Sequence, residues 1–280
     1  MYRVRFLTVG LLTVLGLFFC TAAFGGVVIL SEGKQYRSSR KQKTMETKTK
    51  TYIGEKGVRT ENFVMNKDAP SMSMVYRYNS GDDFLLILHH RGKFYQKMDR
   101  EDLEEMEKKA EETRGKMEGA MKDAPPEVRK RYEKQMGKKG KQEESEQKVE
   151  LKKVETDVKV GDWSCDKYEG YRDGDKISEV WVTEVAGLSE DDYEMLSNMM
   201  DFMEKMNEVS RSFQKGKGDK PINQGRFLKK GVYPVKWINY SNGKKTNESR
   251  LKKLEEKDIS SSRFEVPKGY EKRENQFQKR

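Results

Sequence analysis

Two dipeptides, Asp173-Gly174 and Asn242-Gly243, constrain this 280-residue chain more than any other feature. Both central positions of a type I′ turn need positive φ, which glycine takes freely and Asp or Asn tolerates. Such a dipeptide between alternating apolar segments predicts a two-residue β-hairpin. The flanking segments are present: Trp163 to Arg172 and Ile177 to Thr183 around the first, Pro234 to Tyr240 and Thr246 to Leu254 around the second. The same grammar runs through the N-terminal half. Lys43 to Ile53 alternates, Gly54 to Gly57 turns, and Val58 to Glu61 resumes. Met72, Met74, Tyr76 and Tyr78 alternate with Ser73, Val75 and Arg77, so the large apolar groups share one sheet face and that face is expected to be the covered one. A turn over Asn79 to Asp83 leads into the apolar run Phe84 to Leu88, Arg91-Gly92-Lys93 turns again, and Phe94 to Met98 returns. Val149, Val154, Val158 and Val160 mark one more strand, and connections this short imply an antiparallel meander.

Two stretches break the strand period. After Asp99, a capping residue with Asp102 three positions on, the spacing of Leu103, Met106, Ala110, Met117 and Ala120, with Met121 beside them, predicts a helix. Pro125-Pro126 ends it and starts a second short helix through Met136, giving a helical insertion over about 100–136. Ser189 with Asp192 opens another insertion over about 189–213, with the stripe Leu196, Met199, Met203 and Met206 flanked by Met195 and Phe202. Residues 137–147 and 215–225 read as flexible linkers. Residues 26–270 are thus expected to form one α+β domain, a curved antiparallel sheet with two Met-rich helical segments over its concave face, and residues 271–280 a frayed tail.

Ahead of the first strand, Arg3 and Arg5 precede an apolar run from Phe6 to Phe19 and then small residues, the plan of a secretory signal peptide over 1–25. Ala23-Phe24-Gly25 offers signal peptidase its small side chains, so the mature chain is expected to start at Gly26 in the periplasm. Two other fates are open. The uncharged stretch is long enough to stay as a membrane anchor, and Cys20 stands where a lipidated cysteine would, although Phe19 is large for a lipobox.

The net charge of +10 is two lower once Arg3 and Arg5 leave. It favours anionic partners such as lipid head groups or an acidic protein patch, including transient contact with a membrane surface. Lys and Arg are interleaved with Asp and Glu, without a sustained basic face or a reading motif, so no nucleic acid is expected as a partner. With 37% charged residues, long solvated stretches should accompany the folded part. Cleavage would leave Cys165 without a disulfide partner, and no histidine lies near it in sequence, so it is read as a small buried hydrophobe. His89 and His90 are adjacent on a strand and point to opposite faces, which prevents joint metal ligation. No phosphate loop, nucleophile elbow or zinc motif is present; the expectation is a non-enzymatic protein with no cofactor and no metal.

The order of several segments resembles a known family: Gly26-Val27-Val28-Ile29, Tyr52 to Glu61, Lys93-Phe94-Tyr95, Gly161-Asp162-Trp163-Ser164-Cys165, Ser178 to Val182, and Phe264 to Tyr270. It is similar to the exported bacterial proteins of the domain of unknown function numbered forty-four twelve. That family in turn resembles the LolA-like lipoprotein-carrier fold, and the resemblance implies an unclosed half-barrel whose helices cover a hydrophobic concavity. The expected function is a non-catalytic periplasmic carrier or binder of a lipid or acylated partner such as a lipoprotein. Methionine adapts to irregular apolar ligands, so Met106, Met117, Met121, Met199, Phe202, Met203 and Met206 are the candidate ligand-binding residues. The plainer reading of the same residues is ordinary core. It corresponds to the alternative function, an envelope scaffold that binds a protein partner and has no ligand cavity.

Overall fold

The computed structural model describes residues 25–36, 44–64, 67–78, 82–130, 149–213 and 222–274. Residues 1–24 of the expected leader over 1–25, the linker 137–147 and residues 215–221 of the second linker lie outside these. Twelve strands form one sheet in the order β12-β6-β5-β4-β3-β2-β1-β11-β10-β9-β8-β7. They are β1 (Gly25–Gln35), β2 (Met45–Gly54), β3 (Gly57–Val64), β4 (Met72–Arg77), β5 (Phe84–His89), β6 (Phe94–Asp99), β7 (Glu150–Val160), β8 (Trp163–Arg172), β9 (Asp175–Thr183), β10 (Tyr233–Ser241), β11 (Lys244–Asp258) and β12 (Glu271–Lys272). β7 and β12 are the two ends of that order, so the sheet is not closed. Every pairing is antiparallel except the parallel contact of β12 with β6. Among the described residues the helices include α1 (Arg100–Lys122), α2 (Glu190–Phe213) and α3 (Gly225–Leu228); residues 126–130 are also helical, and the rest of the expected short helix through Met136 lies outside the described residues. The fold class is therefore the expected α+β, an unclosed antiparallel half-barrel with α1 and α2 on its inner face.

Local chemistry explains the elements. Asp173 and Gly174 both have positive φ, 52° and 86°, and Asn242 and Gly243 repeat this at 51° and 70°, so each dipeptide makes the turn its sequence calls for. The edge strand β7 carries a register slip around Asp157, whose φ is 56°. Its exposed Lys152, Lys153 and Glu155 keep that edge from templating a further strand. Curvature is visible in one long-range approach. A Cβ on Gly161, in the β7–β8 turn, would lie 2.8 Å from Nη2 of Arg250 on β11. In a flat sheet β8 would stand about 14 Å and β7 about 19 Å from β11, so the sheet curls inward at this end.

The inner face forms the main core, in which Ile29, Ile53, Val58, Tyr76, Leu85 and Leu251 meet the helices. The opposite face of β4 was expected to be left uncovered. Instead Ser73 and Val75 are fully buried, because the chain after β11 crosses back over this half of the sheet and drives Phe264 onto Val75, Leu86 and Leu88. The far half is covered in the same way by Ile222 and Phe227, which pack on Val180 and Val182. Two sequence expectations are corrected by these coverings. Residues 222–225 do not behave as linker: Ile222 is buried, its Cδ1 lying 2.1 Å from where a Cβ on Gly170 would be, so any larger residue at that position would displace it. The start of the expected frayed tail is ordered as β12, since β6 would otherwise be an open edge; Glu271 N–H donates to Lys93 O (3.0 Å) and Arg273 N–H to Tyr95 O (2.8 Å).

Candidate functional site

The inner surface beneath α2 is built from both halves of the chain. Ser189 caps α2 reciprocally: its Oγ accepts from the Asp192 N–H at 3.2 Å and its N–H donates to Asp192 Oδ2 at 2.8 Å. Glu190 and Asp191 add negative charge at the positive end of the helix dipole. The apolar stripe then faces the sheet, with Leu196, Met199, Phe202 and Val209 buried. The ring of Phe202 rests against Tyr76 of β4, centroids 5.9 Å apart. The Tyr76 hydroxyl donates to Asp83 at 3.1 Å, and Arg100, the first residue of α1, reaches the same carboxylate at 2.7 Å. Burial, and then the Asp83 charge, push the Tyr76 phenol well above its ordinary range, so it remains a neutral donor.

This chain of contacts also fixes where α1 starts. Asp99 and Asp102 form the expected capping box, each side chain accepting from the other's backbone N–H at 3.0 Å. Leu103, Met106 and Ala110 are buried, but from Glu111 to Lys122 no described side chain is. The structure therefore divides the candidate residues. Met106, Met199 and Phe202, each no more than 5% exposed, share the main core; Met203 and Met206 are partly buried against it. Met117 and Met121 are half-buried on the distal part of α1 and do not join that core.

A charged rim on the inner face of β8–β10 went unnoticed in the sequence. Trp181 lies beneath two ammonium groups, Lys236 at 4.4 Å and Lys167 at 5.2 Å from the ring centre. Glu179, two residues earlier on the same face, accepts from Tyr240 Oη (2.5 Å), Lys176 (2.9 Å) and Lys167 (3.3 Å). Burial alone would raise the Glu179 pKa, but the donors from Tyr240, Lys176 and Lys167 overcome it and hold the carboxyl at about 2. The Tyr240 phenol is correspondingly pushed up to about 12, by burial and then by Glu179. The available signal was the period-2 placement of Lys167 with Glu169 and of Glu179 with Trp181 on paired strands.

The two histidines separate as their adjacency requires. His89 stacks on Phe94, centroids 4.3 Å apart. His90 stands on the outer face, with Nε2 2.6 Å from Ser73 Oγ and Nδ1 2.7 Å from Tyr270 Oη. Ser73 is fully buried, whereas His90 and Tyr270 are half-buried. Cys165 is also buried, and that burial lifts its thiol to about 11, so it is not a thiolate at neutral pH. Among the described residues no cluster of three or more His, Cys, Asp or Glu is placed to hold a metal ion, and no helix is long and apolar enough to cross a membrane.

No family model and no curated protein matches the chain. Among solved structures it is similar to the crystal structure of a "putative outer membrane lipoprotein-sorting protein domain" from Vibrio parahaemolyticus. The alignment covers 86% of this chain and 89% of that one at 8% identity, with a TM-score of 0.29. The resemblance to the exported family of unknown function rests on the segments quoted for it.

Proposed function

We propose that the protein is a non-catalytic periplasmic carrier or binder of a lipid or acylated partner, with α2 as a movable cover over the inner face of the sheet. The observation that carries this reading is the composition of the contact. α2 meets an unclosed sheet through Met199, Met203, Met206 and Phe202, and unbranched methionines can repack around an acyl chain where a Leu or Ile core could not. When the cover lifts, the surface it leaves is apolar and concave, with the Trp181 and Lys236 rim at its margin for an anionic head group. The leader, with its processing site before Gly26, supports the compartment. The experiment is native mass spectrometry on the exported protein purified without detergent, followed by titration with a fluorescent fatty acid. Near-stoichiometric co-purifying lipid, lost in a Met199→Asp/Met203→Asp variant that still folds, is the expected result.

A second reading, an envelope scaffold with a filled interior, is favoured by the burial of Met106, Met199 and Phe202. Lipid-free protein that also takes up no fatty acid would decide for it.

A further inference from the structure

A cavity of about 270 Å³ lies on the outer face, where the C-terminal crossing segment passes over β4, β5 and β6. It is on the opposite side of the sheet from α2 and does not depend on the carrier reading. Its walls are of two kinds. Leu86 and Tyr95 from the sheet and Phe264 and Val266 from the crossing segment are apolar, whereas Arg77, Lys97 and Lys272 bring positive charge. Glu265 is the one acidic lining residue, and it pairs with Lys56 at 3.8 Å. Lys97 is held over the Phe84 ring at 4.8 Å and pairs with Asp99 at 3.4 Å. Arg77 differs from both: its Nη1 is buried and has no hydrogen-bond partner among the described residues.

A guanidinium nitrogen removed from water without an acceptor is costly, and the acceptor that suits its fork is a carboxylate held by two parallel N–H donors. The adjoining apolar wall gives such an anion somewhere to place hydrocarbon. The volume is just below the roughly 300–1,000 Å³ usual for ligand pockets, too small for a diacyl lipid and sufficient for a short tail. We propose that this cavity binds a small monocarboxylate with an apolar tail, the carboxylate on Arg77 and the tail against Leu86, Phe264 and Val266. Lys97 and Lys272 raise the local anion concentration without making the directional contact. Inorganic phosphate could use the charge but would leave the apolar wall in water, so both halves of the ligand are required.

The test uses the full mature chain and heteronuclear NMR titrations with hexanoate and 3-phenylpropionate. Hexan-1-ol serves as the tail without the charge, and inorganic phosphate as the charge without the tail. Both carboxylates should bind at least tenfold more tightly than either control, with the largest shifts at amides around Arg77, Leu86, Tyr95 and Val266. Arg77→Met should weaken hexanoate at least tenfold without lowering the melting temperature, since it also removes an unpaired buried donor. Equal binding of phosphate, unchanged binding in Arg77→Met, or shifts confined to α2 would each overturn the site. Should Arg77→Met fail to fold, Val266→Trp, which fills the cavity, carries the same decision: hexanoate affinity retained in it rejects the proposal, and affinity lost in a folded variant supports it.

Discussion

Phe202 of α2 and Tyr76 of β4 meet with ring centroids 5.9 Å apart and planes inclined at 57°, and this contact joins the helix to the centre of the N-terminal half of the sheet. Tyr76 is fully buried and Phe202 nearly so. Phe202→Ala removes a large aromatic from a packed core and should cost about 3–5 kcal/mol of unfolding free energy. Met117→Ala, on the part of α1 with no buried neighbour, should change it by about 0.5 kcal/mol or less. Urea denaturation of both variants gives the comparison; equal costs would mean that α2 does not carry the core.

His90 predicts a pH dependence of known sign. Burial, and next the positive charge of Arg59, hold its imidazole below the ordinary value of 6.5. A site that prefers the neutral ring contributes its full stability above that ordinary value and loses it as pH falls through the lowered one. Unfolding free energy should therefore drop on going from pH 7 to pH 5, and His90→Asn should flatten that limb while leaving the Ser73 hydroxyl a partner. A profile of wild-type steepness in the variant would place the proton uptake elsewhere.

Glu179 acts at lower pH. Its carboxyl, held at about 2 against an ordinary 4.5, contributes stability that is complete above the ordinary value and is lost as pH falls through about 2. Glu179→Gln should remove that acid limb. At neutral pH it should cost about 1–3 kcal/mol, because Lys167, Lys176 and Tyr240 lose a charged acceptor on a partly exposed face. Thermal melts between pH 2 and pH 7 would show both effects, and an unchanged acid limb would sink the assignment.

How far the sequence reached can be judged residue by residue. Asp173-Gly174, Asn242-Gly243, Asp99 with Asp102 and Ser189 with Asp192 were legible because each states its own geometry within a few positions. Buried Met106, Met199 and Phe202 follow from helical period. Met117 and Met121 share that period but are not in the core, because period alone does not say how far along α1 the neighbouring elements extend. The coverings by Phe264 and Ile222 were missed for a related reason: a single apolar residue in a polar segment has no period, and its destination lies across the sheet. The Arg77 cavity was illegible because it needs β4, β5, β6 and the C-terminal segment together, residues as far apart in sequence as Arg77 and Lys272.

β12 leads to the last prediction. Its pairing with β6 is only two residues long, but it occupies what would otherwise be the free edge of β6, where Phe94 and Tyr95 would stand beside unpaired backbone groups. An edge of that kind recruits strands from other molecules. Ending the chain after Gly269 removes the donors that Glu271 and Arg273 supply to Lys93 O and Tyr95 O, together with the Tyr270 hydroxyl that meets His90. The truncated protein should melt at lower temperature and self-associate at concentrations where the full mature chain does not, as read by light scattering after size-exclusion chromatography. Arg273→Pro, which deletes the donor to Tyr95 O and the guanidinium 4.2 Å from the Phe94 ring centre but keeps Tyr270 and the Glu271 donor, should move in the same direction by a smaller amount. A truncated chain with unaltered size and melting temperature would mean that β6 is protected by its own twist and charge, and that the C-terminal strand is incidental to the sheet.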